Sequence, residues 1–212
     1  PEALDRFFHE IFEGLQGENL QISVKTRIGL EDKDNFPRLM EVFNRYPICL
    51  LTIHPRLRRQ FYKGKPDLEA FGLGLEQAKV PVCYNGDIFT PEDARRIQAQ
   101  FPAVERLMLG RGLVANPALA REIRGGAPLT GEELRQFHEA ILEGYCACIQ
   151  GEVNVLHKMK ELWNYWGCLY PENKKGQKAI YKSRSLADYR RTAQAVLAED
   201  PVKNGAFSPD FL

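Results

Sequence analysis

Short apolar runs alternate with longer amphipathic stretches up to about residue 120. The short runs are rich in β-branched residues and predict four strands, at 20–27, 48–54, 80–84 and 104–109. The stretches between them predict helices, near 34–45, near 67–78 and from Thr90 onward. The strands are apolar on both faces, which is typical of a parallel sheet covered by helices.

An amphipathic helix precedes the first of these strands. Its apolar positions recur at helical spacing: Leu4, Phe7, Phe8, Ile11, Phe12 and Leu15. The chain begins at Pro1 and runs directly into this helix, with no strand predicted ahead of it.

Each predicted strand is followed by a short polar motif. The motifs are VKTRIG (24–29), HPRLRRQFYKG (54–64), NGD (85–87) and GRGLVANP (110–117). Lys25, His54, Asn85 and Gly110 are separated by 29, 31 and 25 positions, and one βαβ unit takes roughly 30 residues. Polar groups at the carboxyl ends of successive strands are how a (β/α) barrel builds its active site.

The pattern changes after residue 125. A linker-like Gly-Gly-Ala-Pro at 125–128 leads into a capping-box signature at 130–133. Helices are predicted after it, then near 153–167 and 183–199, with an irregular tail over 200–212. We therefore expect an α/β fold with two domains: 1–125 as the C-terminal half of a (β/α)8 TIM barrel with four βα units, and 126–212 as an all-α helical domain.

A closed barrel needs eight strands and typically about 250 residues. Four strands alone leave two apolar sheet edges unpaired, which favours aggregation. Either the chain is the C-terminal part of a longer protein, or a second copy completes the barrel. The start without a methionine favours the first interpretation, and on that interpretation we expect the chain to associate or fold poorly when expressed alone.

The composition, 44% hydrophobic and 27% charged, is typical of a soluble globular protein, and no apolar run approaches the roughly 18 residues of a membrane span. Five cysteines, two of them inside apolar runs, favour reduced thiols in a cytoplasmic protein over a disulfide framework. Cys146-Ala-Cys148 lacks the spacing and histidine partners of a zinc site, so no metal is expected.

The net charge of +1 conceals an asymmetry. Residues 152–191 contain nine basic and four acidic residues, a net charge of +5, whereas the remainder has a net charge of −4. A basic segment suggests a polyanionic partner. On charge alone, however, a solvated helix face is the favoured interpretation.

Two turns after consecutive predicted strands are candidates for a phosphate site. Asn85-Gly86-Asp87 and Gly110-Arg111-Gly112 combine glycines, which let backbone N–H groups approach a phosphate, with an arginine that adds a charge-assisted contact. Taken singly, each is an ordinary turn or loop.

Two further candidates end strands. Lys25 could stabilise negative charge on a ligand at the barrel mouth, or could be a surface lysine on an edge strand. His54 is followed by three arginines, which suggests an anionic substrate; they are Arg56, Arg58 and Arg59.

Together these motifs resemble those of the tRNA-dihydrouridine synthases, which are FMN-dependent barrel enzymes. Residues 54–64 are similar to the family's His-Gly-Arg-Thr-Arg loop, except that Pro55 replaces glycine and Leu57 replaces threonine. The similarity is close over about 20–120 and looser beyond. It implies FMN contacts from eight residues: Lys25, His54, Arg56, Asn85, Gly86, Asp87, Gly110 and Arg111.

The resemblance also implies a reaction. NADPH reduces FMN, the flavin gives a hydride to C6 of a tRNA uridine, and a cysteine in the family's N-terminal half protonates C5. None of the five cysteines here lies in the matching motif, so the general acid is assigned to none of them. The chain alone should therefore be inactive.

The family's helical domain binds tRNA, which gives the basic segment a role. The candidate tRNA contacts are Arg58, Lys158, Lys160, Lys182 and Arg184, with further cations at Lys174, Lys175, Lys178, Arg190 and Arg191. Trp163, Tyr165 and Trp166 lie among them and are expected in the core. Two alternatives stay open: a flavin barrel acting on a small metabolite, such as a dihydroorotate-dehydrogenase-like oxidoreductase, and a non-catalytic RNA-binding fragment.

Overall fold

A computed structural model describes residues 1–202 of the chain. The elements in that range are α1 (Glu2–Gly14), β1 (Ser23–Gly29), α2 (Phe36–Phe43), β2 (Leu50–Leu57), α3 (Leu68–Gln77), β3 (Val82–Tyr84), α4 (Pro91–Gln100), β4 (Arg106–Leu107), α5 (Arg111–Ala115), α6 (Leu119–Ile123), α7 (Gly131–Cys148), α8 (Glu152–Trp166), α9 (Lys174–Lys182) and α10 (Leu186–Leu197). Single 3₁₀ turns span Arg58–Gln60 and Gly167–Leu169. No helix among these is both long enough and apolar enough to cross a membrane.

The four strands form one parallel sheet in the order β1-β2-β3-β4. This confirms the predicted α/β class, in which helices connect parallel neighbours. β2 and β3 are central and buried, while β1 at the edge has alternating exposed positions. The expectation that every strand is covered on both faces is therefore wrong for β1, because Ser23 and Lys25, which share one face of the strand, are exposed within residues 1–202.

β2 continues to Leu57, three residues beyond its predicted end at 54. Arg27 of β1 pairs with His54, whereas Gly29 pairs with Leu57, so the register shifts between the two pairs. Pro55 has no N–H to donate to the ladder, and a proline inside a sheet is tolerated at such a bulge. The bulge explains why the strand extends past a proline that sequence patterns treat as a strand terminator.

Two groups of helices were not predicted individually. α5 and α6 are too short to show a helical period, and α9 has Lys174, Lys175, Lys178 and Lys182 on a helix whose one fully buried residue is Ile180. The helices over 153–167 and 183–199 are confirmed as α8 and α10, within a few residues at each end. The predicted irregular tail, 200–212, lies outside the described residues from 203 onward.

The chain divides into two compact units. The first comprises Pro1–Asp87 and Arg96–Leu109, and the second comprises Ile88–Arg95 and Gly110–Leu212. The division thus falls before the predicted domain boundary at 125. The reason is visible within the second unit, where the indole N–H of Trp166 on α8 donates to the carbonyl of Val114 on α5 at 2.9 Å.

The first unit is built around the apolar sheet. Leu51 and Ile53 on β2 are fully buried, together with Met40 of α2 and Phe71 of α3. α1 contacts the same unit through Phe8, whose ring lies 5.9 Å from that of Phe43.

The second unit has its own core, centred on α7, α8 and α10. Thr130 and Glu133 form the predicted capping box at the start of α7. Trp163 and Trp166 are buried, which confirms the expectation for these two, whereas Tyr165 is only half-buried and the expectation is wrong for it.

A buried polar chain crosses this core. Trp163 Nε1 donates to Tyr189 Oη at 3.0 Å, and the same hydroxyl lies 2.7 Å from His138 Nε2. The indole can only donate, so the tyrosine oxygen accepts from Trp163. The hydroxyl proton then has an acceptor at His138 Nε2 when the imidazole proton is on Nδ1, and this is the arrangement that satisfies all three buried groups. Burial lowers the pKa of His138 to about 4. The histidine is therefore neutral in the folded protein at neutral pH.

We expect the stability of the second unit to fall as the pH drops from about 6.5 towards about 4. The folded-state pKa of His138 lies below the ordinary value, so the unfolded chain binds the proton first, and neutral His138 contributes fully only above the ordinary pKa. The loss attributable to this group is on the order of 3 kcal/mol. Chemical denaturation across this pH range measures it. His138→Gln should show a shallower pH dependence than the wild type, and equal slopes would contradict the assignment. Glu139 and Arg190, the charged neighbours of His138, are kept in both proteins, so that their contribution to the pH dependence is common to the two measurements.

Candidate functional site

The carboxyl end of β2 carries a wholly buried arginine. Arg56 has 0% exposure and makes a bidentate pair with Asp87, with Nη1 to Oδ1 at 3.0 Å and Nη2 to Oδ2 at 2.5 Å. Nη2 also donates to the carbonyl of Gly64 at 2.5 Å. A buried charge is tolerated when it is paired and hydrogen-bonded, so Asp87 and Gly64 are what allow Arg56 to lie here.

Arg56 Nε differs from the other guanidinium nitrogens. It is buried and has no hydrogen-bond acceptor within residues 1–202. A buried donor without a partner is rare in folded proteins and often marks a place where a ligand or water binds. This unpartnered donor is one of the features that fit an anionic group at the site.

His54 lies two residues before Arg56 and is 5% exposed. Its Nε2 lies 3.4 Å from Arg56 Nη1. A guanidinium only donates, so Nε2 accepts and the imidazole proton is on Nδ1. Burial, with the positive charges of Arg27, Lys25 and Arg56, lowers the pKa of His54 to about 3. His54 is thus a neutral donor through Nδ1 and not a cation.

The turn after β3 is held to the neighbouring strands. The Asn85 side-chain amide donates to the carbonyl of Met108 at 2.9 Å, and its backbone N–H donates to Ile53 at 3.0 Å. A Cβ at Gly86 would lie 2.0 Å from the hydroxyl of Tyr84, so only glycine fits there. The Asn85 side chain therefore has a structural role, and these contacts with the neighbouring strands hold the backbone of the 85–87 turn in place.

Lys25 lies on the edge strand and is exposed. Its pKa is lowered by partial loss of hydration against the protein beneath it, and secondarily by the charge of Arg27. Of the two interpretations of Lys25, the edge-strand position is what the structure shows, and the ligand contact stays a prediction. Lys25 pairs with Thr52 of β2, and Arg27, two residues on, pairs with His54.

Arg27 was not among the predicted site residues, although it lies in the VKTRIG motif. Its Nη1 donates to the carbonyl of Leu57 at 2.7 Å, and its guanidinium lies 5.8 Å from the centre of the Tyr62 ring. The signal that could have identified it is its position two residues after Lys25, on the same face of the strand.

Two predicted site residues lie in the second unit. Gly110 is exposed and has no atom within 4 Å of the position a Cβ would take. The Arg111 guanidinium lies 5.5 Å from the ring centre of Phe89. A Cβ at Gly112 would lie 2.1 Å from the carbonyl oxygen of Ile88, so this turn is built for glycine. The structure thus brings six of the eight predicted cofactor residues into one unit and leaves these two in the other.

The cations of the basic segment differ in their environment. Lys158 pairs with Glu161 at 3.0 Å, and Lys160 donates to the carbonyl of Ser183 at 2.6 Å. Lys182 and Arg184 are exposed. Arg190 and Arg191 pair with acids of the same unit, Glu139 and Asp188 respectively.

The largest group of exposed and unpaired cations in this segment lies on α9. Its four lysines are exposed and make no ion pair within the described part of the chain: Lys174, Lys175, Lys178 and Lys182. Three of them are spaced by four residues and lie on one helix face. Gly176 lets the helix lie close to Val196 of α10, because a Cβ there would be 2.5 Å from the valine side chain.

The donors at the strand ends are cationic or neutral. The Asp87 carboxylate is occupied by Arg56, and His54 cannot gain a proton near neutral pH. No group of three or more His, Cys, Asp or Glu side chains is arranged to hold a metal ion in the range 1–202. Chemically, this arrangement suits a negatively charged ligand such as a phosphate ester.

The model of the dihydrouridine synthase (Dus) family matches residues 6–204. The chain is 26% identical to a tRNA-dihydrouridine(16) synthase of Neisseria meningitidis over 80% of its length and 52% of the relative. It is 32% identical to a tRNA-dihydrouridine(16) synthase of Aquipseudomonas alcaligenes, over 68% of the chain and 44% of that protein, and 29% identical to tRNA-dihydrouridine synthase B of Shewanella oneidensis, over 59% and 40%.

The chain belongs to the dihydrouridine synthase family. It spans about half the length of the curated relatives that it matches.

We expect Asp87→Ala to destabilise the first unit by about 3–5 kcal/mol, because it leaves Arg56 buried without a counter-charge. Denaturant unfolding monitored by circular dichroism measures the change. The matched control is Glu2→Ala, which removes the partner of Arg38 in an exposed pair of the same unit and should change stability by less than about 1 kcal/mol. A similar effect for both variants would show that the Arg56–Asp87 pair is dispensable.

Proposed function

We propose that this chain is the C-terminal portion of an FMN-dependent tRNA-dihydrouridine synthase. Such an enzyme reduces a uridine in tRNA to 5,6-dihydrouridine with NADPH as reductant. The observation that carries the proposal is the group of His54, Arg56 and the 85–87 turn at the carboxyl ends of adjacent parallel strands, in a chain that matches the family over 6–204. Carboxyl ends of strands are where barrel enzymes hold their ligands.

The proposed architecture is half of a (β/α)8 barrel in residues 1–125, followed by a helical tRNA-binding domain in residues 126–212. Two features support it. Sequential parallel neighbours in the order β1-β2-β3-β4 are the arrangement of consecutive barrel strands. β1 also lies at the end of the sheet with one edge unpaired within residues 1–202, which fits pairing with a further strand in the proposed barrel.

FMN fits the residues at the strand ends. The unsatisfied Arg56 Nε, the neutral His54 Nδ1–H and the exposed ammonium of Lys25 are donors for an anionic and oxygen-rich ligand. We assign to Lys25, His54, Arg56, Asn85, Gly86, Asp87, Gly110 and Arg111 the binding of this cofactor. Bound FMN supplies the hydride that the reduction needs.

The residues assigned to the cofactor site would hold it in different ways. Asp87 and Asn85 act through other groups, because their side chains hold Arg56 and the carbonyl of Met108. Gly86 and Gly110 allow close backbone approach, and Arg111 adds positive charge steadied by the Phe89 ring.

The general acid is assigned to no cysteine of this chain. Cys83 is buried and Cys168 half-buried, and burial raises the pKa of both thiols, to about 11 for Cys168. Cys146 and Cys148 are exposed on α7 in the helical unit. In this proposal the acid comes from the remaining half of the protein, so the chain alone is inactive.

Replacement of Lys25 by Ala or of Arg111 by Ala should weaken FMN binding by the full-length protein. Losing a charge-assisted hydrogen bond costs about 1.5–3 kcal/mol, or roughly ten- to a hundredfold in affinity. Titration followed by flavin fluorescence measures it. Lys33→Ala is the control, since Lys33 is a lysine of the same unit that pairs with Asp67. Unchanged affinity in both test variants would remove these residues from the FMN site.

The proposed partner, tRNA, is supported by the charge of the helical unit. Phosphate contacts dominate nucleic-acid affinity, and the unpaired lysines of α9 are available for them. Among the contacts inferred from sequence, the exposed Lys182 and Arg184 suit this role better than Lys158 and Lys160, which have partners inside the unit.

Replacing Lys174, Lys175, Lys178 and Lys182 by Ala should weaken tRNA binding strongly. The slope of its salt dependence should fall by about one unit for each phosphate that is no longer neutralised. FMN binding should be unchanged. Filter binding at several salt concentrations provides the measurement. The control combines Lys158→Ala with Arg191→Ala, which removes cations that are already paired and should have a smaller effect. Wild-type affinity in the four-lysine variant would leave α9 as a solvated surface and favour a small-metabolite substrate.

A further inference from the structure

The loop after β2 contains an aromatic residue in an unusual conformation. Phe61 has φ 50° and ψ −97°, and within residues 1–202 it is the one non-glycine residue with positive φ. A bulky side chain in this region is strained, whereas glycine adopts it freely. Strain of this kind is characteristic of functional sites.

Packing does not account for Phe61. Its side chain is 71% exposed, more than any other large hydrophobic residue in the described part of the chain, and Tyr62 beside it is 50% exposed. The strained conformation thus directs an apolar ring into solvent.

The backbone on both sides of Phe61 is nevertheless held firmly. The Leu57 N–H donates to Gln60 Oε1 at 2.6 Å, and the Lys63 N–H donates to the Gln60 carbonyl at 2.8 Å. Gly64, where φ is also positive, accepts from Arg56 at 2.5 Å. Phe61 is therefore displayed on a braced turn.

Positive charge surrounds the ring. The segment 54–66 has five basic residues and no acidic one, and four of the five are exposed without an ion pair in the range 1–202: Arg58, Arg59, Lys63 and Lys65. An exposed aromatic ring among unpaired cations is the arrangement by which proteins bind single-stranded nucleic acid, with bases stacked on the ring and phosphates on the cations.

We propose that Phe61 is a stacking platform for an unpaired base of the RNA substrate, with Arg59 and Lys63 binding the adjacent phosphates. The inference rests on the proposed function, since a base that leaves the helix for reduction exposes neighbouring bases that need a new stacking partner. Charge complementarity favours RNA over an apolar protein partner for this surface.

The test uses the full-length protein and four variants: Phe61→Ala, Phe61→Trp, Phe61→Gly and, as an exposed phenylalanine on α1, Phe7→Ala. Affinity for unmodified tRNA is measured over a range of salt concentrations, together with the melting temperature and the bound flavin. We expect Phe61→Ala and Phe61→Gly to weaken tRNA binding roughly five- to a hundredfold. Phe61→Trp and Phe7→Ala should keep it.

Two further readouts separate stacking from other roles. The salt dependence should stay unchanged in Phe61→Ala, because stacking releases no counterions, and should fall in a variant with Arg59→Ala and Lys63→Ala. The melting temperature should be unchanged in Phe61→Ala and unchanged or higher in Phe61→Gly.

Wild-type tRNA affinity in Phe61→Ala would overturn the inference and leave the proposed function intact. A lower melting temperature in both Phe61→Ala and Phe61→Gly would identify Phe61 as a packing residue and also overturn it. If the wild-type protein itself failed to bind tRNA, the proposed function would fall and the inference with it.

Discussion

The pairing of buried Arg56 with Asp87 is the interaction on which the strand-end region depends. Arg56 is at the end of the central strand β2, Asp87 is in the turn after β3, and the same guanidinium binds the carbonyl of Gly64. One charged group therefore links two neighbouring strand ends and the intervening loop. A buried guanidinium without these partners would cost several kcal/mol, so the geometry around His54 and the braced turn of Phe61 follows from satisfying it.

Much of the first unit was predictable because parallel strands and amphipathic helices leave clear periodic patterns. The strand order, the helices from α1 to α4 and the placement of polar motifs at strand ends are of this kind. The continuation of β2 past Pro55 was not, since a bulge compensates for the missing N–H. The pairing of Arg56 with Asp87 could not be predicted either, because the two residues lie 31 positions apart and sequence patterns report only local spacing.

In the second unit, too, local features could be predicted from the sequence, whereas the surroundings of individual charged side chains could not. The capping box of Thr130 and the burial of Trp163 and Trp166 agree with the sequence, since local chemistry and aromatic size determine them. Charge alone did not separate Lys158, which pairs with Glu161, from the unpaired lysines of α9. That separation needs the three-dimensional positions of the acids, and it changes which lysines are candidates for phosphate contacts.

We propose that the strand-end donors of this chain serve the reduction of uridine in tRNA. The most direct measurement is mass spectrometry of a uridine-containing tRNA transcript after incubation with the full-length protein, FMN and NADPH. We expect a gain of two hydrogen atoms at a uridine, dependent on NADPH, and the loss of this gain in a protein with Arg56→Ala that still binds tRNA. An unchanged transcript mass with a flavin-loaded, tRNA-binding wild-type protein would contradict it.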